Sequence, residues 1–288
     1  MDFNTPRISK IIDDWIEEDI GKGDLTSSAI TKKKGNAYWI AKEEGIFCGV
    51  GIIYEIFKKI DIKINCKFHI SDGEKFVKNQ KLLELSGPSI SLLASERISL
   101  NIAMHLSGIS TYTKNLISIL KGTNIKLADT RKTTPGLRIF EKYAFKCGGG
   151  VNHRMGLYDA AMIKENHIAW TDNLKDAVKK IRLNSPFITH IIIEAENINQ
   201  AKEAVLAGAD SILLDEINPE LIKKGIEELR TISTNTNIKK SNKNLIIEIS
   251  GINPKEINNY LIEGIDLIST SSSITKSNWI DFSMRYIN

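Results

Sequence analysis

The chain has 288 residues, 42% apolar and 26% charged, and 39 Lys plus Arg against 35 Asp plus Glu leave a formal charge of +4. That much apolar material excludes a disordered chain. So thin a positive excess, with no long block of like charge, excludes a dedicated nucleic-acid arm.

The length fits one large α/β barrel or two modest domains, at roughly 100–200 residues each. Cys48, Cys66 and Cys147 are odd in number and lack Cys-x-x-Cys spacing. They fit neither a zinc site nor a disulfide framework, and a reducing cytosol is expected. The first twenty residues are acidic and amphipathic, unlike a signal peptide. The longest apolar stretch, from Ile46, is interrupted at Glu55, well short of the ~20 residues that span a bilayer. The expectation is a soluble, cytoplasmic protein.

Ile8, Ile11, Ile12, Trp15 and Ile16 recur at helical spacing and predict a helix with one buried stripe. Segments around 36–43, 62–70 and 81–87 alternate or carry β-branched residues between glycine-containing breaks and predict strands. A long helix is expected from about Ser91 to about Leu106. From Lys121 the rhythm becomes strand, loop, helix, repeated. Apolar runs at 125–129, 160–164, 190–194, 211–215, 245–250 and 266–269 predict six strands. Asn218-Pro219 and Asn253-Pro254 each place a capping side chain before a proline at the first helical position. Near-continuous apolar strands alternating with helices imply a parallel sheet covered on both faces. Six of them favour an incomplete (β/α) barrel over an open sheet. Residues 230–244 read as a loose helix-to-strand connection.

Five of these strands end in a polar residue: Asp129, Lys164, Glu194, Asp215 and Ser250. Strand C-termini of a parallel barrel open onto one face, where active sites sit. Any one of the five is explained by polar residues leaving the core as a strand ends; five together favour a site. Between Thr130 and Lys164 lie seven cations, Arg131, Lys132, Arg138, Lys142, Lys146, Arg154 and Lys164, opposed only by Glu141 and Asp159. The block therefore carries +5 and the remainder of the chain −1, which suits a pocket for a small polyanion. Arginine forks match carboxylate and phosphate oxygens. A solvated helix face accounts for Lys142 and Lys146; Arg131, Lys132 and Arg154 stand beside Pro and Gly in loops. Glu194 and Asp215 either neutralise these cations or bind Mg²⁺, which takes one or two carboxylates plus substrate phosphates. Gly148-Gly149-Gly150 is either an anion-binding nest or a tight turn.

The blocks DTRKTTPGLR (129–138), EKYA, CGGGVNHRMGL and IKENHI, with ASERISLNIAMHLSGISTYT upstream and AGADSILLD downstream, resemble quinolinate phosphoribosyltransferase over nearly the whole chain. The resemblance implies an N-terminal α/β sandwich domain, residues 1–112 joined by the tail 276–288, and an incomplete barrel over 113–275. It implies phosphoribosyl transfer to quinolinate with decarboxylation, in de novo NAD biosynthesis, with phosphoribosyl pyrophosphate as co-substrate, Mg²⁺ as cofactor and no organic prosthetic group. It implies a homodimer with shared active sites, leaving further assembly open, and neither nucleic-acid nor membrane partners. By position, Arg97 matches an arginine lent across that interface. Arg131, His153, Arg154 and Lys164 match residues gripping the quinolinate carboxylates, and Lys132 a lysine at the reacting centre. Glu194 and Asp215 match acids near the ribose and Mg²⁺, and Ser250 and Gly251 a loop binding the 5′-phosphate.

The chain departs from the family at several places. Ser250-Gly251-Ile252 is one glycine short, and 269–277 is one residue longer with Lys276 in place of a histidine. His105, His190 and Ile192 replace charged residues, Glu165 replaces Asp and Glu216 replaces Asn. Three other readings compete: a molybdenum-associated phosphoribosyltransferase-like paralogue with another substrate, a Schiff-base enzyme using Lys164, and an RNA-binding protein. The intact DTRKTTPGLR and GGGVNHRMGL blocks favour quinolinate over the first. The charged neighbours of Lys164 disfavour the second, and no aromatic interleaves with the basic residues in the way single-strand binders use, which disfavours the third.

Overall fold

The computed structural model describes residues 1–31, 33–171, 173–235 and 245–287. In chain order the elements begin with α1 (Pro6–Ile20), β1 (Lys34–Ala41), β2 (Gly45–Ile46), α2 (Val50–Ile60), β3 (Asn65–Phe68), β4 (Lys75–Phe76), β5 (Lys81–Pro88) and α3 (Ser89–Ile119). Next come β6 (Lys126–Ala128), α4 (Arg138–Cys147), β7 (Ala161–Ile163), α5 (Glu165–Ile168), α6 (Leu174–Asn184), β8 (Ile191–Ala195) and α7 (Ile198–Ala207). The last are β9 (Ser211–Asp215), α8 (Pro219–Asn235), β10 (Ile246–Ser250), β11 (Leu267–Ser269), α9 (Ser272–Thr275) and β12 (Phe282–Ile287). The chain forms two compact units: Met1–Asn115 with Thr134–Gly149 and Ser273–Asn288, and Leu116–Thr133 with Gly150–Ser272. Thr134–Gly149, inside the segment expected to form the barrel domain, groups with the first unit.

The first unit is built on an antiparallel sheet ordered β12-β1-β5-β3. Alternation along β1 buries Ala37, Trp39 and Ala41 on one face, as a one-sided sheet requires. Trp39 packs on Phe57 and Phe282, and Phe282 on Phe47 and Phe76; burying each such ring contributes about 2–3 kcal/mol. Thr5 caps α1 and Pro6 opens it. Trp15 of α1 meets Phe140 of α4.

Helix α3 runs thirteen residues past the expected end at Leu106, because Ile109 and Thr113 continue its buried stripe. Gly108 does not break it. The backbone of Asn278 approaches there so closely that a Cβ on Gly108 would lie 2.1 Å from the Asn278 carbonyl oxygen.

The second unit is a six-stranded sheet ordered β6-β11-β10-β9-β8-β7, with every pairing parallel. Ile191–Ile193, Ile212–Leu214 and Ile247–Ile249 are buried continuously, the signature of strands covered on both faces. The strands follow one another around the sheet from β7 to β11, β6 lies beyond β11, and β6 and β7 do not pair. This is the incomplete (β/α) barrel the sequence predicts. Asn218 caps α8, donated to by the Glu220 N–H at 2.9 Å. Asn253 caps a 3-10 turn over Pro254–Tyr260 in place of the expected α-helix. Of the loose connection expected at 230–244, residues 230–235 continue α8 and the rest lies outside the described residues.

Candidate active site

Strand register decides which side chains share a face of the parallel sheet. Glu194 pairs with Leu213 and Leu213 with Glu248, while Asp215 pairs with Ser250. Side chains alternate along a strand, so Glu194, Asp215, Glu248 and Ser250 all project from one face. The opposite face carries Ile193, Leu214, Ile247 and Ile249, all buried. Lys164, one residue beyond β7, forms an ion pair with Glu194. Its surroundings are therefore charged, unlike the apolar pocket that a Schiff-base lysine needs.

The loop 150–154 is fixed from β6. Asp129, fully buried, accepts Asn152 Nδ2 at 2.6 Å and the His153 backbone N–H at 2.8 Å. It follows that Asp129, counted among the strand-end polar residues, shapes the loop rather than standing open at the mouth. His153 Nε2 lies 3.2 Å from Glu248 Oε2. Arg154 Nη1 donates to the Ala160 carbonyl at 2.8 Å. Burial, and next the positive charge of Arg131, lower the Arg154 pKa. Arg131 Nε is buried without a hydrogen-bond partner among the described residues. Lys132 is exposed, its N–H donating to Thr130 Oγ1 at 3.0 Å. Ser250 accepts the Glu216 N–H at 3.2 Å through its carbonyl. Gly251 has φ +75°, and a Cβ there would lie 2.9 Å from Asp215 Oδ1.

The second unit thus brings together Arg131 and Arg154, Lys164 and Glu194, and Asp215 with Ser250 and Gly251. Arg97 belongs to the first unit, where it lines a cavity of about 480 Å³ with Trp15, Asn101, His105, Thr134 and Trp279. The departure at 105 keeps a polar partner: His105 Nε2 and Glu141 Oε1 are 2.9 Å apart, and Glu141 Oε2 accepts the Thr134 N–H at 2.9 Å. His190 meets the Ser211 hydroxyl at 2.5 Å, and Ile192 is buried.

One expectation about the basic block changes, and for the glycine triplet the tight-turn alternative holds. Lys142, expected on a solvated face, is fully buried, because α4 also buries Phe140, Glu141, Ala144 and Phe145. The glycine triplet is a helix terminator: the Gly148 and Gly149 N–H groups donate to the Ala144 and Lys146 carbonyls. A Cβ on Gly148 would lie 2.5 Å from the Ser110 carbonyl oxygen. Sequence reasoning missed Glu248. The available signal was its place two residues before Ser250, on the same side of a strand otherwise made of isoleucine.

Among the described residues no group of three or more His, Cys, Asp or Glu is arranged to hold a metal ion, and no helix is long and apolar enough to cross a membrane. Glu194 and Asp215 supply oxygen donors only. Such a set fits a hard cation that arrives with substrate phosphates and keeps several waters; it does not fit a closed nitrogen and sulfur site.

An incomplete parallel barrel whose strand ends gather arginine, lysine and carboxylate defines an α/β-barrel enzyme acting on a small anion. Family models for the quinolinate phosphoribosyl transferase N-terminal and C-terminal domains match residues 24–107 and 109–285. The chain belongs to the quinolinate phosphoribosyl transferase family. It is 43% identical over 222 residues, 77% of each chain, to the probable nicotinate-nucleotide pyrophosphorylase (carboxylating) of Bacillus subtilis strain 168. It is 36% identical over 279 residues to the protein of the same description from Methanothermobacter thermautotrophicus, covering 95% of this chain and 97% of that one. The crystal structure of NadC from Streptococcus pyogenes superposes on it with a TM-score of 0.90 and 33% identity, over 100% of both chains.

Proposed function

We propose that this chain transfers the phosphoribosyl group of phosphoribosyl pyrophosphate to quinolinate, releasing pyrophosphate and CO2 and leaving nicotinate mononucleotide. The observation that carries the reading is the Arg131–Arg154 pair. One guanidinium is lowered in pKa by burial and by the other's charge, and the other has a buried Nε with no hydrogen-bond partner among the described residues. Two such cations side by side call for an anion between them, and a planar dicarboxylate supplies one.

In this reading Arg131, Arg154, His153 and Lys164 orient quinolinate so that its ring nitrogen faces the anomeric carbon. The C–N bond forms as the bond to pyrophosphate breaks, through an oxocarbenium-like state that the Glu194 and Asp215 carboxylates stabilise. Lys132, on an exposed loop, neutralises charge at the reacting centre. The new pyridinium stabilises the electron pair of the adjacent C–CO2 bond on the ring carbon as CO2 leaves, and that carbon then takes a proton from solvent. Glu194 and Asp215 would hold Mg²⁺ through oxygen, and Mg²⁺ supplies further neutralisation of pyrophosphate. Positioning and field account for most of the protein's contribution. Ser250 and Gly251 bind the 5′-phosphate, and Arg97 acts in the site of a partner subunit within a cytoplasmic homodimer.

The test is incubation of the folded protein with quinolinate, phosphoribosyl pyrophosphate and Mg²⁺, following nicotinate mononucleotide and CO2 together. Formation of both in equal amounts is expected. Their absence from folded, dimeric protein overturns the reading.

A further inference from the structure

Glu248 is 2% exposed, and among the described residues its one hydrogen-bond partner is the imidazole of His153, at Oε2. The second oxygen, Oε1, is buried with no partner among those residues. On the other side of the ring, His153 Nδ1 lies 2.7 Å from the Arg154 backbone nitrogen. A backbone amide only donates, so Nδ1 keeps its lone pair. The ring proton therefore sits on Nε2 and points at the Glu248 carboxylate. Tautomer and ring plane are set from both sides.

The same residues are tied along the backbone: the His153 N–H is bound by Asp129, and the Arg154 N–H by the His153 ring. A shift of the imidazole thus releases the Arg154 backbone, and the Arg154 guanidinium moves with it. Burying a carboxylate with one neutral donor costs free energy that an apolar residue would avoid. What the carboxylate contributes in return is an acceptor roughly twice as strong as a neutral one.

We propose that Glu248 is a positioning residue: it holds His153 as the Nε2–H tautomer and thereby sets the Arg154 main chain for a dicarboxylate ligand. The proposal rests on the reading above in which His153 and Arg154 bind quinolinate. Removing the carboxylate is expected to weaken ligand binding by about tenfold, the size of one hydrogen bond to a charged group.

The test combines long-range ¹H–¹⁵N spectra of the imidazoles in unliganded protein, with His153 assigned by comparison with His153→Gln, and steady-state kinetics. Wild type and Glu248→Gln, whose amide oxygen still accepts from Nε2–H, are expected to show the Nε2–H tautomer and similar quinolinate KM. Glu248→Leu is expected to show mixed tautomers and a quinolinate KM raised about tenfold, with kcat little changed. Wild type with the proton on Nδ1 overturns the proposal without any variant. So does a Glu248→Leu protein with unchanged tautomer and KM, or a Glu248→Gln protein as impaired as Glu248→Leu. The spectra need no substrate, so a protein that makes no nicotinate mononucleotide refutes the functional reading and leaves the tautomer comparison of wild type, Glu248→Gln and Glu248→Leu standing.

Discussion

Asp129 at the end of β6 accepts the backbone N–H of His153 at 2.8 Å, linking residues 24 positions apart. With Asn152 on its other oxygen, this fully buried carboxylate fixes the entry to the loop that carries His153 and Arg154. Asp129→Ala removes the acceptor of both groups and is expected to cost about 2–4 kcal/mol of stability, since hydrogen bonds to a charged group are worth about 1.5–3 kcal/mol each. Urea unfolding measures it; a loss under about 1 kcal/mol would show that the loop holds itself.

Glu216 sits at φ 54°, in the left-handed region that a glutamate side chain rarely adopts and an asparagine tolerates. Glu216→Asn is therefore expected to raise stability by about 0.5–1 kcal/mol. Equilibrium denaturation decides, and a destabilised variant contradicts the strain argument.

Gly251 is open to a different test. A Cβ there would lie 2.5 Å from Glu216 Cγ and 2.9 Å from Asp215 Oδ1, at a φ that already strains any L side chain. Gly251→Ala is expected to displace the Asp215 carboxylate and reduce kcat/KM for phosphoribosyl pyrophosphate at least tenfold, about 1.4 kcal/mol or more in the transition state. The quinolinate KM should change far less. Equal losses toward both substrates would point to collapse of the whole strand end.

Glu141 gives a pH dependence. Burial raises its pKa, but hydrogen bonds from His105 and Thr134 outweigh it, and the net shift is below the ordinary 4.5. A carboxyl lowered in the folded state contributes stability in full above its unfolded value, and that stability is lost as pH falls through the folded value. The melting temperature of wild type is thus expected to fall more steeply below pH ~4.5 than that of Glu141→Gln. Parallel acid limbs would remove Glu141 from the account.

The shared-site proposal is tested by mixing. Arg97→Ala and Lys132→Ala proteins are each expected to be nearly inactive, and after subunit exchange the mixed dimers should regain up to about a quarter of wild-type activity. No recovery despite proven exchange places Arg97 outside its partner's site.

The barrel was legible because its strands are buried on both faces, so Ile191–Ile193 and Ile212–Leu214 stand out as unbroken apolar runs. The Asn218 cap and the α1 stripe were legible for the same reason: a local pattern with one physical meaning. The errors have a common source in long-range packing. Lys142 looks solvated until both sides of α4 are seen to be covered. The long helix was expected to end at about Leu106, but it continues to Ile119 past Gly108, where the Asn278 backbone occupies the space a Cβ would need. Glu248 reads as a strand residue because its partner, His153, lies 95 positions away. The charge count located the basic block correctly, but within it the structure separates a buried lysine, Lys142, from Arg131 and Arg154.

β1 pairs with β12 over Asn36–Ala41 and Phe282–Ile287, nearly the full span of the described chain. During synthesis, that edge of the first sheet stays open until residue 287 has left the ribosome, whereas the strands of the barrel are complete by residue 269. Long-range pairing of this kind is slow, and an uncovered strand edge invites wrong partners in the interval. The barrel is thus free to form while its neighbour waits, and the hazard of misassembly concentrates on β1.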